Sequence, residues 1–199
     1  MNCTVSPTRT LADGSIELTD ARIGYTLTLP SGWIVLNPGA EETQALLEAA
    51  GQANPELRWM LEGFGQDFAQ GIRFTALDSD LVAGDTDSLA TITLMSLELA
   101  EIPLDLLLET TANSIESMVP GAEILSRTLI PDMNGQPAAR IDWLLELTTL
   151  DAAQVTLHST LVILQTGEYL IELALQAEQG VHPNYRPAFE QVIQSLTLQ

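Results

Sequence analysis

The residues with the clearest chemical potential are one histidine and two carboxylates in the second half of the chain. His158 shares one face of an extended run with Thr156 and Thr160, and Asp142 and Glu146 share a face of the preceding run. If these runs pair, the imidazole approaches a carboxylate, as a general base requires. A hydrolase that uses His158 is therefore one hypothesis for the function.

The sequence does not supply the nucleophile that such a hydrolase needs. No Gly-x-Ser-x-Gly elbow occurs, and alternation turns Ser159 to the face opposite His158. His182 precedes Pro183 in a predicted loop, and two distant histidines do not make a zinc site. We therefore favour a structural cross-strand pair at His158, and we expect no enzyme activity and no cofactor.

A cluster of four aspartates is a weak candidate for a cation site. Asp78, Asp80, Asp85 and Asp87 lie within ten residues, and carboxylate oxygens are preferred ligands of calcium. The spacing departs from that of an EF-hand, in which alternating acids are followed by a glycine and a distal glutamate. We interpret the segment as a solvated loop and assign no metal to it.

The single cysteine, Cys3, is followed by a hydroxyl-rich stretch over 4–10. One cysteine can form neither an internal disulfide nor a cysteine-rich zinc site. A mature bacterial lipoprotein begins with a lipid-modified cysteine and a flexible tether of this kind. We predict a flexible tether over 1–14 with Cys3 as the lipid-attachment candidate; an unmodified cysteine in a frayed terminus is the alternative.

The composition excludes several classes of function. Of 199 residues, 46% are hydrophobic, yet no apolar run approaches the ~18 residues that a membrane span needs. The chain has 27 acidic residues against seven basic ones, all arginine, and a net charge of -20. An acidic protein of this kind lacks the basic surface that neutralises nucleic-acid phosphates. The absence of lysine also excludes Schiff-base chemistry.

Hydropathy patterns predict the elements that position these residues. Alternation predicts extended chain over 16–18, 23–29, 33–36 and 72–76. Helical spacing predicts helices over 41–50, 56–69 and 103–117, and a last helix that begins near Pro183. The run 89–99 is apolar on both faces, which is typical of a strand at the centre of a sheet.

The second half of the chain is predicted to form hairpins. Asn134-Gly135 separates the extended runs 124–130 and 138–148, and Thr166-Gly167 separates two more. Such short connections force antiparallel neighbours, and the helices must then cover the sheet. The expected fold class is α+β, with an antiparallel β-sheet flanked by helices in an α-β-α sandwich, as a single domain over 15–199.

One predicted helix carries more apolar surface than a single core face needs. Met60, Phe64 and Phe68 recur at helical spacing within 56–69, and Trp59 lies on another side. If both sides are apolar, part of this helix forms an interface or lines a groove; packing on the sheet is the alternative.

Four landmarks span most of the chain, and in order they are YTLTLPSGW at 25–33, the 103–117 helix with EIL at 123–125, NGQPAARIDW at 134–143, and YLIELAL at 169–175 with the closing helix. Together they resemble the PsbP-like superfamily, which includes the photosystem extrinsic subunit, Ran-binding Mog-type proteins, and DcrB- and LpqN-type lipoproteins. The resemblance implies an antiparallel sheet between helical layers. It also implies an extracytoplasmic, often lipid-anchored protein that binds a partner and does not catalyse. The helical insert over 41–69 is longer than that family leads us to expect.

We therefore expect a non-catalytic binding or scaffold domain of the cell envelope, extracytoplasmic and either anchored through lipid at Cys3 or secreted. A protein partner is expected, with membrane contact only through the anchor. A hydrolase centred on His158 is the alternative, and calcium-dependent adhesion through the aspartate segment is a third hypothesis. A concave polar pocket around His158 favours the hydrolase, whereas a flat ladder of threonines and carboxylates argues against it.

Overall fold

The computed structural model describes residues 8–37, 41–53, 71–86, 88–148 and 154–198. The strands are β1 Thr8–Thr10, β2 Ile16–Asp20, β3 Tyr25–Leu29, β4 Trp33–Leu36, β5 Ile72–Asp78, β6 Ala90–Glu98, β7 Ala122–Met133, β8 Gln136–Thr148, β9 Gln154–Thr166, β10 Tyr169–Glu178 and β11 Thr197–Leu198. The helices are α1 Glu41–Ala53, α2 Ser79–Ala83, α3 Leu104–Met118 and α4 His182–Ser195.

The strands form two antiparallel sheets. The larger has seven strands in the order β4-β5-β6-β10-β9-β8-β7, and the smaller has four in the order β1-β2-β3-β11. Strands β7 to β10 follow one another as a meander, as the predicted hairpins require. The first of these hairpins turns at Asn134 and Gly135, which both have positive φ, at 56° and 88°. These angles suit a two-residue hairpin turn, and they explain why Asn-Gly is found there.

Helices cover both faces of the seven-stranded sheet, so the predicted α+β sandwich is confirmed. Leu107, Leu108, Ala112 and Ile115 of α3 join a buried cluster with Ala139, Ile141, Ile163 and Leu170. On the other face, Phe189, Val192 and Ile193 of α4 belong to a larger cluster that also includes residues of β2 and β3. The small sheet and α4 thus enclose the main core together. No helix among the described residues is long and apolar enough to cross a membrane.

The boundary of the N-terminal tether is corrected by the structure. Thr8, Arg9 and Thr10 lie within the predicted tether, yet they form β1 and pair with β2. The turn between the two strands is closed by the carboxylate of Asp13, which accepts hydrogen bonds from the backbone N–H and the hydroxyl of Ser15. Threonine favours extended backbone, so this short run forms an edge strand once a partner is present.

The segment predicted as an aspartate-rich loop is helical over Ser79–Ala83. The Asp78 carboxylate caps this turn, since it accepts a 2.8 Å hydrogen bond from the backbone N–H of Asp80. It also accepts a 2.6 Å hydrogen bond from the hydroxyl of Tyr185 on α4. Asp78 therefore caps the helix and makes a tertiary contact. The spacing of the aspartates in the sequence does not distinguish these roles from that of a loop residue.

Candidate functional site

A cleft of about 320 Å³ lies between α4 and the strands β7, β8 and β9. Its polar lining consists of Arg140, Asp142, His158, Thr160, His182, Arg186 and Glu190. Its apolar lining consists of Leu125, Pro183, Phe189 and Ile193. We name this site the histidine cleft. Both histidines of the chain and two of its seven arginines meet here, in a protein whose net charge is -20.

Two periodicities bring these side chains together. In the sheet, Asp142 is directly opposite Thr160. His158 lies two residues before Thr160, on the same face of β9. Ile141 alternates to the opposite face, where it is buried beneath α3. In α4, the three polar lining residues are spaced four apart, so they form one stripe along the helix.

The carboxylate of Asp142 is saturated with hydrogen-bond donors. The hydroxyls of Thr160 and Ser126 donate to it over 2.6 and 2.9 Å. Arg140 adds bonds from Nε and Nη2, at 3.0 and 3.1 Å. Burial acts to raise the pKa of Asp142, but the bonds from Arg140 and Thr160 outweigh it and hold that pKa below its usual value. A carboxylate with such low proton affinity is a poor general base.

Arg140 also connects the sheet to the helix. Its Nη1 donates a 2.9 Å hydrogen bond to Glu190 of α4, so one guanidinium contacts two carboxylates. Burial acts to lower the pKa of Arg140, but the bonds to Asp142 and Glu190 raise it overall. This three-residue network fixes the base of the cleft and leaves Arg140 with little free positive charge.

The two histidines stack face to face across the cleft. The ring centroids of His158 and His182 are 3.7 Å apart, and the ring planes differ by 11°. Burial lowers the pKa of both imidazoles, and proximity to His158 lowers the pKa of His182 further. Both rings are therefore neutral near physiological pH.

The prediction that His182 is a loop residue distant from His158 is wrong. His182 is the first residue of α4, and it contacts His158 because the helix docks back onto the sheet. The stacked rings do not make a metal site, since their in-plane nitrogens lie in parallel planes and cannot converge on one ion. Within the described ranges, no group of three or more histidine, cysteine, aspartate or glutamate residues is placed to hold a metal.

Two hydroxyls near His158 are engaged elsewhere. Thr160 lines the cleft, and its hydroxyl donates to Asp142. Ser159 faces the other side of the sheet, as alternation predicts; it is 1% exposed and accepts a hydrogen bond from Gln176. The site is thus concave and rich in ionisable groups, which favours the hydrolase, but its internal contacts are those of an ion-pair network.

The other predicted site residues lie away from this cleft. Glu146 pairs in register with Thr156 and is absent from the lining. Asp80 and Asp85 are exposed near the Asp78 cap. Six residues fall outside the described ranges, so the interface, lipid and cation predictions that use them stay predictions: Cys3, Trp59, Met60, Phe64, Phe68 and Asp87.

Two polar residues on the helix side of the cleft were not predicted from the sequence. Arg186 and Glu190 follow His182 at intervals of four, which is the spacing of one helix face. That spacing is visible in the sequence. The docking of this face against β8 is not, because it depends on contacts between distant parts of the chain.

No protein-family model and no curated protein matches this sequence. Solved structures do match, and they show that the chain has a PsbP-like fold. The cyanobacterial PsbP (CyanoP) of Synechocystis sp. PCC 6803 superposes with a TM-score of 0.56 at 13% identity, covering 95% of this chain and 94% of that one. The resemblance inferred from the four sequence landmarks is therefore confirmed at the level of the fold.

Two further structures share this fold. LpqN, described as involved in cell envelope biogenesis of Mycobacterium tuberculosis, has a TM-score of 0.53 at 13% identity, with 97% of this chain and 99% of that one covered. The Ran-binding protein Mog1p of Saccharomyces cerevisiae has a TM-score of 0.50 at 8% identity, with 97% and 96% covered. At such identities the likeness concerns the fold.

Proposed function

We propose that this chain is a non-catalytic binding domain of the cell envelope that recognises a protein partner through the histidine cleft. The observation that carries the proposal is the state of Asp142, whose lone pairs are occupied by Arg140, Ser126 and Thr160. A carboxylate held in this way orients neighbouring groups and stabilises the cleft, and it takes no proton from a substrate.

The rigidity of the cleft supports a binding role. Arg140 ties β8 to α4, and the stacked imidazoles join β9 to the same helix. A preformed site loses little side-chain entropy when a partner docks, so its contacts contribute more fully to affinity. The exposed Leu125 at the rim of the cleft gives a partner apolar surface to cover.

The proposal includes an extracytoplasmic location with lipid attachment through Cys3. LpqN, which has a similar fold, is described as involved in cell envelope biogenesis. The sequence around Cys3 also has the form of a lipoprotein tether. The predicted interface at Trp59, Met60, Phe64 and Phe68 would be a second contact surface of the same binding domain.

An apolar photo-crosslinking amino acid at position 125 tests binding at the cleft, because Leu125 is exposed at the rim and its replacement leaves the charged groups of the cleft in place. The matched control position is 127, where Arg127 lies on the sheet face covered by α3 and pairs with Glu109 and Glu116. We expect a discrete crosslinked adduct in native cells from position 125 and none from position 127. Equal adducts from both positions, or none from position 125, would refute partner binding at this site.

A hydrolase assay tests the absence of catalysis. Wild type and His158→Gln are compared on p-nitrophenyl acetate and p-nitrophenyl phosphate. We expect nitrophenol release at the buffer rate from both proteins. Turnover by wild type that the His158→Gln variant abolishes would establish the hydrolase instead.

Metabolic labelling tests the anchor. The native gene and its Cys3→Ser variant are expressed with an alkyne analogue of palmitate. We expect label in the membrane fraction of the wild type and its loss in Cys3→Ser. An unlabelled wild-type protein, or equal labelling of both, would remove lipid attachment at Cys3 from the proposal.

A further inference from the structure

Among the described residues, the charges within the histidine cleft leave one cation without a partner. Arg140 is balanced by Asp142 and Glu190, as described above. Arg186 is exposed, lines the cleft, and has no hydrogen bond or ion pair with any residue in the part of the chain that the structure describes. With both imidazoles neutral, the four charged side chains sum to zero, and the available positive group is Arg186.

The balance of charges in the cleft determines which ligand charge the cleft binds best. A free guanidinium with adjacent imidazole N–H groups recognises a carboxylate or a phosphate. Asp142 and Glu190 line the same cleft, and a protein of net charge -20 repels any anion at long range. This repulsion increases with the charge of the ligand, so it is weaker for a monoanion than for a phosphate dianion or an acidic peptide segment. The cleft therefore favours a single carboxylate.

The volume and the apolar lining of the cleft indicate which chemical group carries the carboxylate. Leu125, Phe189 and Ile193 border the polar groups. The volume of about 320 Å³ is at the lower end of the range of about 300–1,000 Å³ for ligand sites. This space suits one apolar residue with its terminal carboxylate, and it is small for a long acyl chain.

We propose that the histidine cleft receives the C-terminal carboxylate of a partner polypeptide that ends in an apolar residue, with Arg186 as the carboxylate-binding residue. This inference rests on the proposed function and names the chemistry of its partner. Arg186 forks onto the carboxylate, the imidazole N–H groups of the histidine pair donate beside it, and the apolar side chain lies against Leu125 and Ile193.

Titration with N-acetyl-L-leucine tests this proposal, and N-acetyl-L-leucine amide is the matched neutral probe. The chain has two histidines, so imidazole signals in proton–carbon correlation spectra report on the cleft alone. We expect saturable shifts of both imidazoles with the acid and none with the amide. We also expect Arg186→Gln to raise the Kd by about tenfold or more, and the control Arg127→Gln to leave the Kd unchanged.

Several outcomes would overturn the proposal. Equal shifts with the acid and the amide would show that charge is not recognised, and unchanged affinity in Arg186→Gln would remove that residue from the site. Tighter binding of octanoate than of N-acetyl-L-leucine would reassign the cleft to an acyl carboxylate, and tighter binding of inorganic phosphate would contradict the monoanion. If the photo-crosslink at position 125 forms while N-acetyl-L-leucine fails, partner binding stands and its proposed chemistry fails.

Discussion

Two half-buried carboxylates of the seven-stranded sheet, Asp142 and Glu172, have opposite surroundings. Asp142 lies on β8 and accepts hydrogen bonds from three side chains, and its pKa is lowered. Glu172 lies on β10, directly opposite Met95 and Ile163, and its pKa is raised by burial. Glu172 has no hydrogen bond or ion pair with the residues that the structure describes.

The difference teaches that burial and partners, rather than residue type, decide what a carboxylate does. Burial disfavours the charge of both groups, but donors overcome this cost at Asp142 and leave it uncompensated at Glu172. The first residue organises the cleft, and we expect the second to weaken the sheet at neutral pH. Substitutions at the two positions should therefore change stability in opposite directions.

The largest effect is expected for Asp142→Asn. The substitution removes the negative charge that pairs with Arg140, and it disturbs the hydrogen bonds from the hydroxyls of Ser126 and Thr160. The free energy of unfolding should therefore fall by about 2 kcal/mol. Urea denaturation at about pH 7 measures the change. The control is Glu123→Gln, at an exposed position of β7, which should leave stability unchanged. A loss no larger than in this control would show that the network contributes little.

A smaller effect of opposite sign is expected for Glu172→Gln. Because the pKa of Glu172 is raised above its ordinary value of 4.5, folding favours the protonated form, and that stabilisation is lost as pH rises through the folded-state pKa. Glutamine removes the buried charge, so stability should increase by about 1 kcal/mol near pH 7. The gain should disappear in denaturation curves recorded below the ordinary pKa. A destabilised variant at neutral pH would reveal a partner for the carboxylate.

The smallest effect is expected from the histidine pair. Their pKa values are lowered from 6.5, so folding favours the neutral rings, and stability is lost as pH falls below 6.5 through the folded-state values. The charged groups facing the pair are Arg140 and Asp142 from β8, and Arg186 and Glu190 from α4. We expect the free energy of unfolding to decline between pH 6.5 and about pH 5.

His182→Gln isolates this contribution. The variant removes one titrating ring and relieves the other, so its stability should change less over the same pH interval. Thermal denaturation at several pH values above 5, where most carboxyl groups remain ionised, gives the comparison. Identical pH dependence in wild type and variant would assign the decline to other groups.

The parts of the fold that depend on local signals were predicted from the sequence. The Asn134-Gly135 turn requires positive φ, which these residues adopt readily, and it specifies the β7–β8 hairpin. Alternation along β8 and β9 correctly placed Asp142, His158 and Thr160 on one face. Such patterns concern neighbouring residues or adjacent strands, where geometry is nearly fixed.

The rest depends on docking between distant segments. The four-stranded sheet was not predicted, because its pairing of β3 with β11 joins the two ends of the described chain. The stacking of His182 on His158 was missed for the same reason, since the path of α4 across the sheet is set by its buried face. Half of the cleft was therefore predictable, namely its strand side.

The pairing of β3 with β11 has a consequence for synthesis. Ser195 accepts a hydrogen bond from the backbone N–H of Thr28 and donates one to its carbonyl, across 167 positions of sequence. During translation, the β2–β3 hairpin leaves the ribosome long before these late residues exist. One edge of β3 stays open through most of elongation, when a nascent chain is most prone to misassociate. A nascent chain stalled on the ribosome before residue 195 should bind ribosome-associated chaperones, and completion of the chain should release it.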